Sequence, residues 1–94
     1  MTILQRNYRF ERGEIDIIAE DGEELVFVEV KARRTKAFGE PEDSVTTQKQ
    51  EQIQRVAEGY LFEHAISDRA CRFDVVAIFF RNGKAEINHL KNAF

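Results

Sequence analysis

Apolar and polar residues along the chain fall into blocks of two periods. Thr2–Phe10 mixes Ile3, Tyr8 and Phe10 with arginines, which predicts a short extended segment entering a sheet. Gly13–Ala19 reads as a strand, with Asp16 set among isoleucines. Leu25–Lys31 is five parts apolar in seven residues, and three of the five are valines. That composition predicts a core strand buried on both faces. From Thr46 or Thr47, a plausible N-cap, the pattern changes period. Ile53, Val56, Ala57, Tyr60 and Leu61 recur at helical spacing, which predicts an amphipathic helix ending near His64. Ala70–Phe80 predicts a second core strand, and Ala85–Leu90 its partner across an Asn82-Gly83 turn. The order strand, strand, strand, helix, strand, strand predicts an α/β domain with a mixed sheet.

Asp21-Gly22 is a tight-hairpin signal between the second and third strands. With these two as the loop, Asp16 opposes Phe27 and Glu14 opposes Glu29. Asp16 then lies diagonally across from Glu29 on one face, and Lys31 shares that face by alternation. A one-residue slip would move Asp16 to the other side. Two or three carboxylates and a lysine thus converge at the end of a core strand.

Two readings fit that patch. Asp16 and Glu29, with the Val30 carbonyl, offer hard oxygen ligands to Mg²⁺, with Lys31 beside them to orient a water or meet charge on a phosphate. The other reading is a plain Lys31–Glu29 salt bridge at a strand end. Glu14 reads better as a solvated residue, and Asp74 beside Arg72 as a structural ion pair. His64 and His89 have no neighbours at zinc-site spacing. Cys71 reads as a buried, inert thiol.

At 94 residues the chain is long enough for one domain and one core. Its 43% hydrophobic and 33% charged content is that of a globular protein in water. No apolar run approaches bilayer length, so no membrane partner is expected. A lone cysteine fits the reducing cytoplasm. The net charge of −3 argues against bulk affinity for nucleic acid, but Lys31, Arg33, Arg34 and Lys36 form a local basic run. Residues 37–44 carry the only proline and read as a surface loop. The polar face of the helix, with Gln48, Gln50, Glu51 and Gln52, reads as solvent-facing.

Asp16, a strand, and then Glu29-Val30-Lys31 resemble the Asp…Glu-x-Lys signature of restriction-endonuclease-like nucleases. More closely, the chain from about Ile3 to Phe94 resembles the YraN-like family of uncharacterised bacterial proteins, related to Holliday-junction resolvases. The matching segments are residues 13–19, 25–31, 44–46, 72–77 and 87–90. The resemblance implies a restriction-endonuclease-like core in one domain over residues 1–94, a central mixed β-sheet flanked by helices. It implies Mg²⁺-dependent endonuclease activity on DNA, branched DNA included, with Mn²⁺ as an alternative ion. Asp16, Glu29 and Lys31 would be catalytic, Asp16, Glu29 and Val30 would bind metal, and Arg33, Arg34 and Lys36 would meet phosphates. The alternatives are an inactive nucleic-acid-binding module and a structural subunit that recruits a protein partner. The sequence departs from the family pattern twice. Met1 falls almost at the first strand, where members usually have a further helix, so a domain lacking that helix and pairing as a homodimer is expected. The helix after Thr46 is also less basic than in the family.

Overall fold

The computed structural model describes residues 1–33 and 45–94. The loop expected over 37–44, and Arg34 and Lys36, lie outside the described residues. Among the described residues, five strands and one helix follow in the expected order. They are β1 (Thr2–Phe10), β2 (Gly13–Asp21), β3 (Glu24–Arg33), α1 (Thr47–Glu63), β4 (Cys71–Arg81) and β5 (Lys84–Leu90). They form one sheet in the order β1-β2-β3-β4-β5. β3 and β4 run parallel, and the other pairs are antiparallel. The fold is therefore α/β with a mixed sheet, as expected, and the described helix covers one face.

Burial follows the alternation. Leu25, Phe27 and Val75 face α1 and pack with Ile53, Val56, Ala57 and Tyr60. Val26 and Val28 lie on the opposite face with Ala19, against Ile17, Val30 and Val76. Both sets on β3 are at most 4% exposed, which is why the strand reads as an unbroken apolar run. α1 begins where Thr46 accepts a hydrogen bond from the Lys49 amide at 3.2 Å. It ends at His64, whose ring stacks on Tyr60 at 4.1 Å. The helix reaches the β1–β2 hairpin closely, because Gly59 sits against the Phe10 ring with no side chain of its own.

The turns fix the registers. Asn82 and Gly83 both take positive φ, 50° and 75°, the pattern of a type I′ hairpin. The β2–β3 turn differs from expectation. Its loop residues are Gly22 and Glu23, and Asp21 pairs with Glu24. Gly22 takes φ 61° while neither Asp21 nor Glu23 is left-handed, so glycine occupies the first central position as in a type II′ turn. The strands are offset by two residues from the expected register, and Phe27 faces Ile18 rather than Asp16. An even offset leaves every face unchanged.

Alternation fails at one level of the sheet. Ile15 belongs to the helix-side cluster, yet Ile17 belongs to the opposite one. In β1, Asn7 is left-handed at φ 53°, between the Arg6–Ile17 and Tyr8–Ile15 pairs. Asparagine tolerates that conformation better than most residues. Both strands change phase together at Asn7 and Asp16, and the β2–β3 ladder is registered only from Ile17 onward.

Candidate functional site

Asp16 stands where β2 leaves the β2–β3 ladder. Its Oδ2 accepts a hydrogen bond from the Val30 amide at 2.8 Å, so a side-chain oxygen replaces the missing strand carbonyl. Continuing the observed register places Asp16 level with Glu29, nearer than the expected diagonal, and Glu14 level with Lys31 rather than Glu29. Glu29 lies on the α1 side of β3 and is only 8% exposed. Lys31 Nζ approaches Glu29 Oε1 at 3.5 Å. Burial pushes the Glu29 carboxyl above the usual range. The charge of Asp16 raises it further, and Lys49 and Lys31 pull the other way. Glu14 pairs with Arg9 at 3.4 Å near solvent, as the solvated reading expects.

The structure thus brings together Asp16, Glu29, Val30 and Lys31. Arg33 ends β3, and the course of the chain through Arg34 and Lys36 lies outside the described residues. Among the described residues no group of three or more His, Cys, Asp or Glu forms a metal cluster. A hard cation that keeps most of its waters needs fewer. Two carboxylates suffice, and a buried carboxylate raised by its like-charged neighbour is the kind a cation relieves. Asp16 and Glu29 are hard oxygen donors of the type that Mg²⁺ or Mn²⁺ takes.

A second polar cluster lies on the face opposite α1. Asp74, fully buried, receives Arg72 Nε at 3.1 Å, the Asn92 amide at 3.0 Å and His89 Nε2 at 2.7 Å. Arg72 also holds Glu24 at 3.0 Å and Asp21 at 2.9 Å. Burial raises the Asp74 carboxyl, but Arg72, the Asn92 amide and His89 outweigh it and hold Asp74 below the usual range. This is the structural pair expected for Asp74, enlarged by a histidine that sequence reasoning left unassigned. The signal was available: the Asn82-Gly83 turn sets His89 opposite Val76, diagonal to Asp74.

Cys71 corrects an expectation. It is exposed, not buried, with its thiol 3.4 Å from the Arg69 carbonyl. As the first residue of β4 it lies at the mouth of a cavity beside Ala57 and Leu61, beyond full cover by α1. Partial burial pushes its thiol up, away from reactivity. No described helix is long and apolar enough to cross a membrane.

Comparison with known proteins places the chain. The profile of "Uncharacterised protein family UPF0102" matches residues 1–78. A UPF0102 protein of Geotalea daltonii is 51% identical over 94 residues, covering 99% of this chain and 74% of the relative. One from Chlorobaculum tepidum is 49% identical over 98% of this chain and 76% of its own length. One from Moorella thermoacetica is 45% identical over 98% and 78%. The match extends over nearly all of the sequence, through both the Asp16 strand and the Glu29-Val30-Lys31 strand, and the chain belongs to the uncharacterised protein family UPF0102, the YraN family.

Proposed function

We propose that this protein is a divalent-metal-dependent endonuclease that hydrolyses phosphodiester bonds in DNA, branched DNA among its substrates. The observation that carries the reading is a buried Glu29 beside the Val30 amide that Asp16 holds, near enough for the charge of Asp16 to act on it, with Lys31 at 3.5 Å. A fold gains nothing from forcing a buried carboxylate against a second one, so the cost points to a use. The resemblance of Asp16 and Glu29-Val30-Lys31 to the Asp…Glu-x-Lys signature gives that use a chemistry.

Mg²⁺ or Mn²⁺ held by Asp16, Glu29 and the Val30 carbonyl would supply Lewis-acid polarisation of a phosphoryl oxygen and an acidified water. The protein does the rest. The Val30 amide fixes one Asp16 oxygen. Glu29 is held in a poorly hydrated position where its charge acts strongly. Lys31 orients the attacking water or meets the charge that grows on the phosphate. The water oxygen bonds to phosphorus, the P–O ester bond breaks, one water proton leaves to solvent, and the departing oxygen is protonated. The products are a phosphomonoester end and a hydroxyl end.

The test is cleavage of plasmid and four-way-junction DNA with Mg²⁺ or Mn²⁺, with and without chelator. Asp16→Asn and Glu29→Gln are expected to abolish cleavage, and Lys31→Ala to slow it by about 10²–10³. Chelator-resistant cutting, or equal rates in all variants, refutes the reading. DNA binding without cleavage in wild type replaces it with a binding module.

A further inference from the structure

We propose that the cleft between the β1–β2 turn and α1 is a track for the phosphodiester backbone of a DNA strand, with Arg12, Arg55 and Lys49 meeting its phosphates. This rests on the nuclease reading above and adds where the substrate strand lies.

Two adjoining clefts follow the outer side of α1. One, of about 500 Å³, is lined by Thr46, Lys49, Gln52 and Arg55. The other, of about 490 Å³, continues past Gln52 and Arg55 to Phe10, Arg12, Gly13 and Val56. Gly13 packs directly against Val56, with no room for a Cβ between the β1–β2 turn and the helix. Gln52 Nε2 donates to the Arg12 carbonyl at 3.4 Å, which ties the turn to the helix and holds the two walls together.

The charges suit an extended anion. Arg12, Lys49 and Arg55 make no ion pair among the described residues, whereas Arg69 is bound by Glu20 and Arg72 by three carboxylates. Glu11 and Glu51 also border the clefts, so the excess is positive but small. It is a local reversal on a chain of net charge −3. Lys49, Gln52 and Arg55 lie three residues apart along one ridge of the helix. Lys49 and Arg55 are separated by about 9 Å of helix axis. That exceeds the roughly 3.4 Å rise of a single nucleotide, so the two cations would meet different phosphates. A compact anion would need cations that converge on one point, and these are strung out in a line.

The track leads to the candidate site. β2 runs antiparallel to β3, so Gly13, at its start, lies toward the end of β3 that carries Lys31. Asp16 is three residues, or about 10 Å, along β2 from Gly13. Lys49 lies near enough to Glu29 for its charge to act on that carboxyl. Contacts from Arg12, Lys49 and Arg55 to phosphates position a strand without selecting its sequence.

The experiment measures duplex-DNA affinity against salt, and steady-state cleavage, for wild type, Arg12→Ala, Arg55→Ala, the double variant and Lys91→Ala. Arg12 and Arg55 are exposed, so urea midpoints should match wild type. Each single variant is expected to lower the log–log salt slope by about 0.9 and the double by about 1.8. KM should rise with kcat unchanged. Lys91, near the other end of the sheet, should leave the slope as it is. If wild type cleaves and Asp16→Asn does not, but the arginine variants keep the full slope, the track is wrong and the site stands. If the slope falls as expected but wild type never cleaves, the track survives as a binding surface and the hydrolytic reading fails. Absence of salt-dependent binding at low salt overturns both.

Discussion

Replacing Asp16 in two ways separates its hydrogen bond from its charge. Asp16→Asn and Asp16→Ala both remove the negative charge that acts on Glu29, so that effect cancels between them. They differ in the acceptor. Asparagine keeps a side-chain oxygen for the Val30 amide, which Asp16 now holds at 2.8 Å. Alanine leaves that half-buried N–H without a partner, at a cost of about 1–3 kcal/mol. A neutral hydrogen bond retained by asparagine is worth about 0.5–1.5 kcal/mol. The expected gap between the variants is therefore about 1–2 kcal/mol, with alanine the less stable. For a domain of this size that is roughly 4–16 °C in Tm. Urea titration at neutral pH with chelator measures it, and equal m values show that only stability has changed. A second reading comes from pH. Glu29 has a raised carboxyl in the folded protein, so the native state binds more protons than the unfolded chain. Stability then falls as pH rises from the ordinary carboxylate range through the raised folded value. Asp16→Asn should flatten that decline. Equal stability of the two variants, or an undiminished decline in Asp16→Asn, would refute the geometry on which the site depends.

Two further outcomes follow from the packing. Asp74→Ala strips a buried partner from Arg72, His89 and the Asn92 amide, and urea unfolding should show a loss of about 3–5 kcal/mol. Asp74 is held below the usual range, so its contribution is full above that range and fades as pH falls through the lower folded value. The acid limb of a stability–pH curve should be shallower in the variant. Gly59→Ala gains about 1 kcal/mol of helix propensity, but its Cβ would fall 2.5 Å from the Phe10 ring. Overpacking of that kind costs about 1–3 kcal/mol, so thermal unfolding should show a net loss unless the ring shifts by about an ångström.

The elements were legible because their patterns were unambiguous. Leu25–Val30 has the composition of a strand covered on both faces, and the 53, 56, 57, 60 spacing of α1 fits no strand. Asn82-Gly83 has one favoured hairpin geometry and took it. Asp21-Gly22 was ambiguous, since a glycine can serve as the first or the second loop residue. The structure used the first. The site survived that difference because the offset was even. The phase change at Asn7 and Asp16 was not legible, because a period-two pattern carries no mark for a residue that leaves the ladder. Nor was the meeting of Arg12 with Gln52 and Arg55, forty residues and more away, which depends on how the β1–β2 hairpin lies on the helix.

The phase change in β1 has a consequence for the borders of the sheet. β1 and β5 are the two outer strands. Along β1 the register slips between Ile3 and Gln5, and the backbone turns left-handed at Asn7, so its outward N–H and C=O groups are not evenly presented. An incoming strand would find no continuous row of partners there. β5 has an uninterrupted register from Lys84 to Leu90, with Ile87 65% exposed on it. Among the described residues, the sheet is thus a ribbon with one finished hem and one open hem. Any added strand, whether from a crowded solution or an overexpressed chain, would attach at β5. A lysine in place of Ile87 would close that side as well, and would do so far from Asp16 and Glu29.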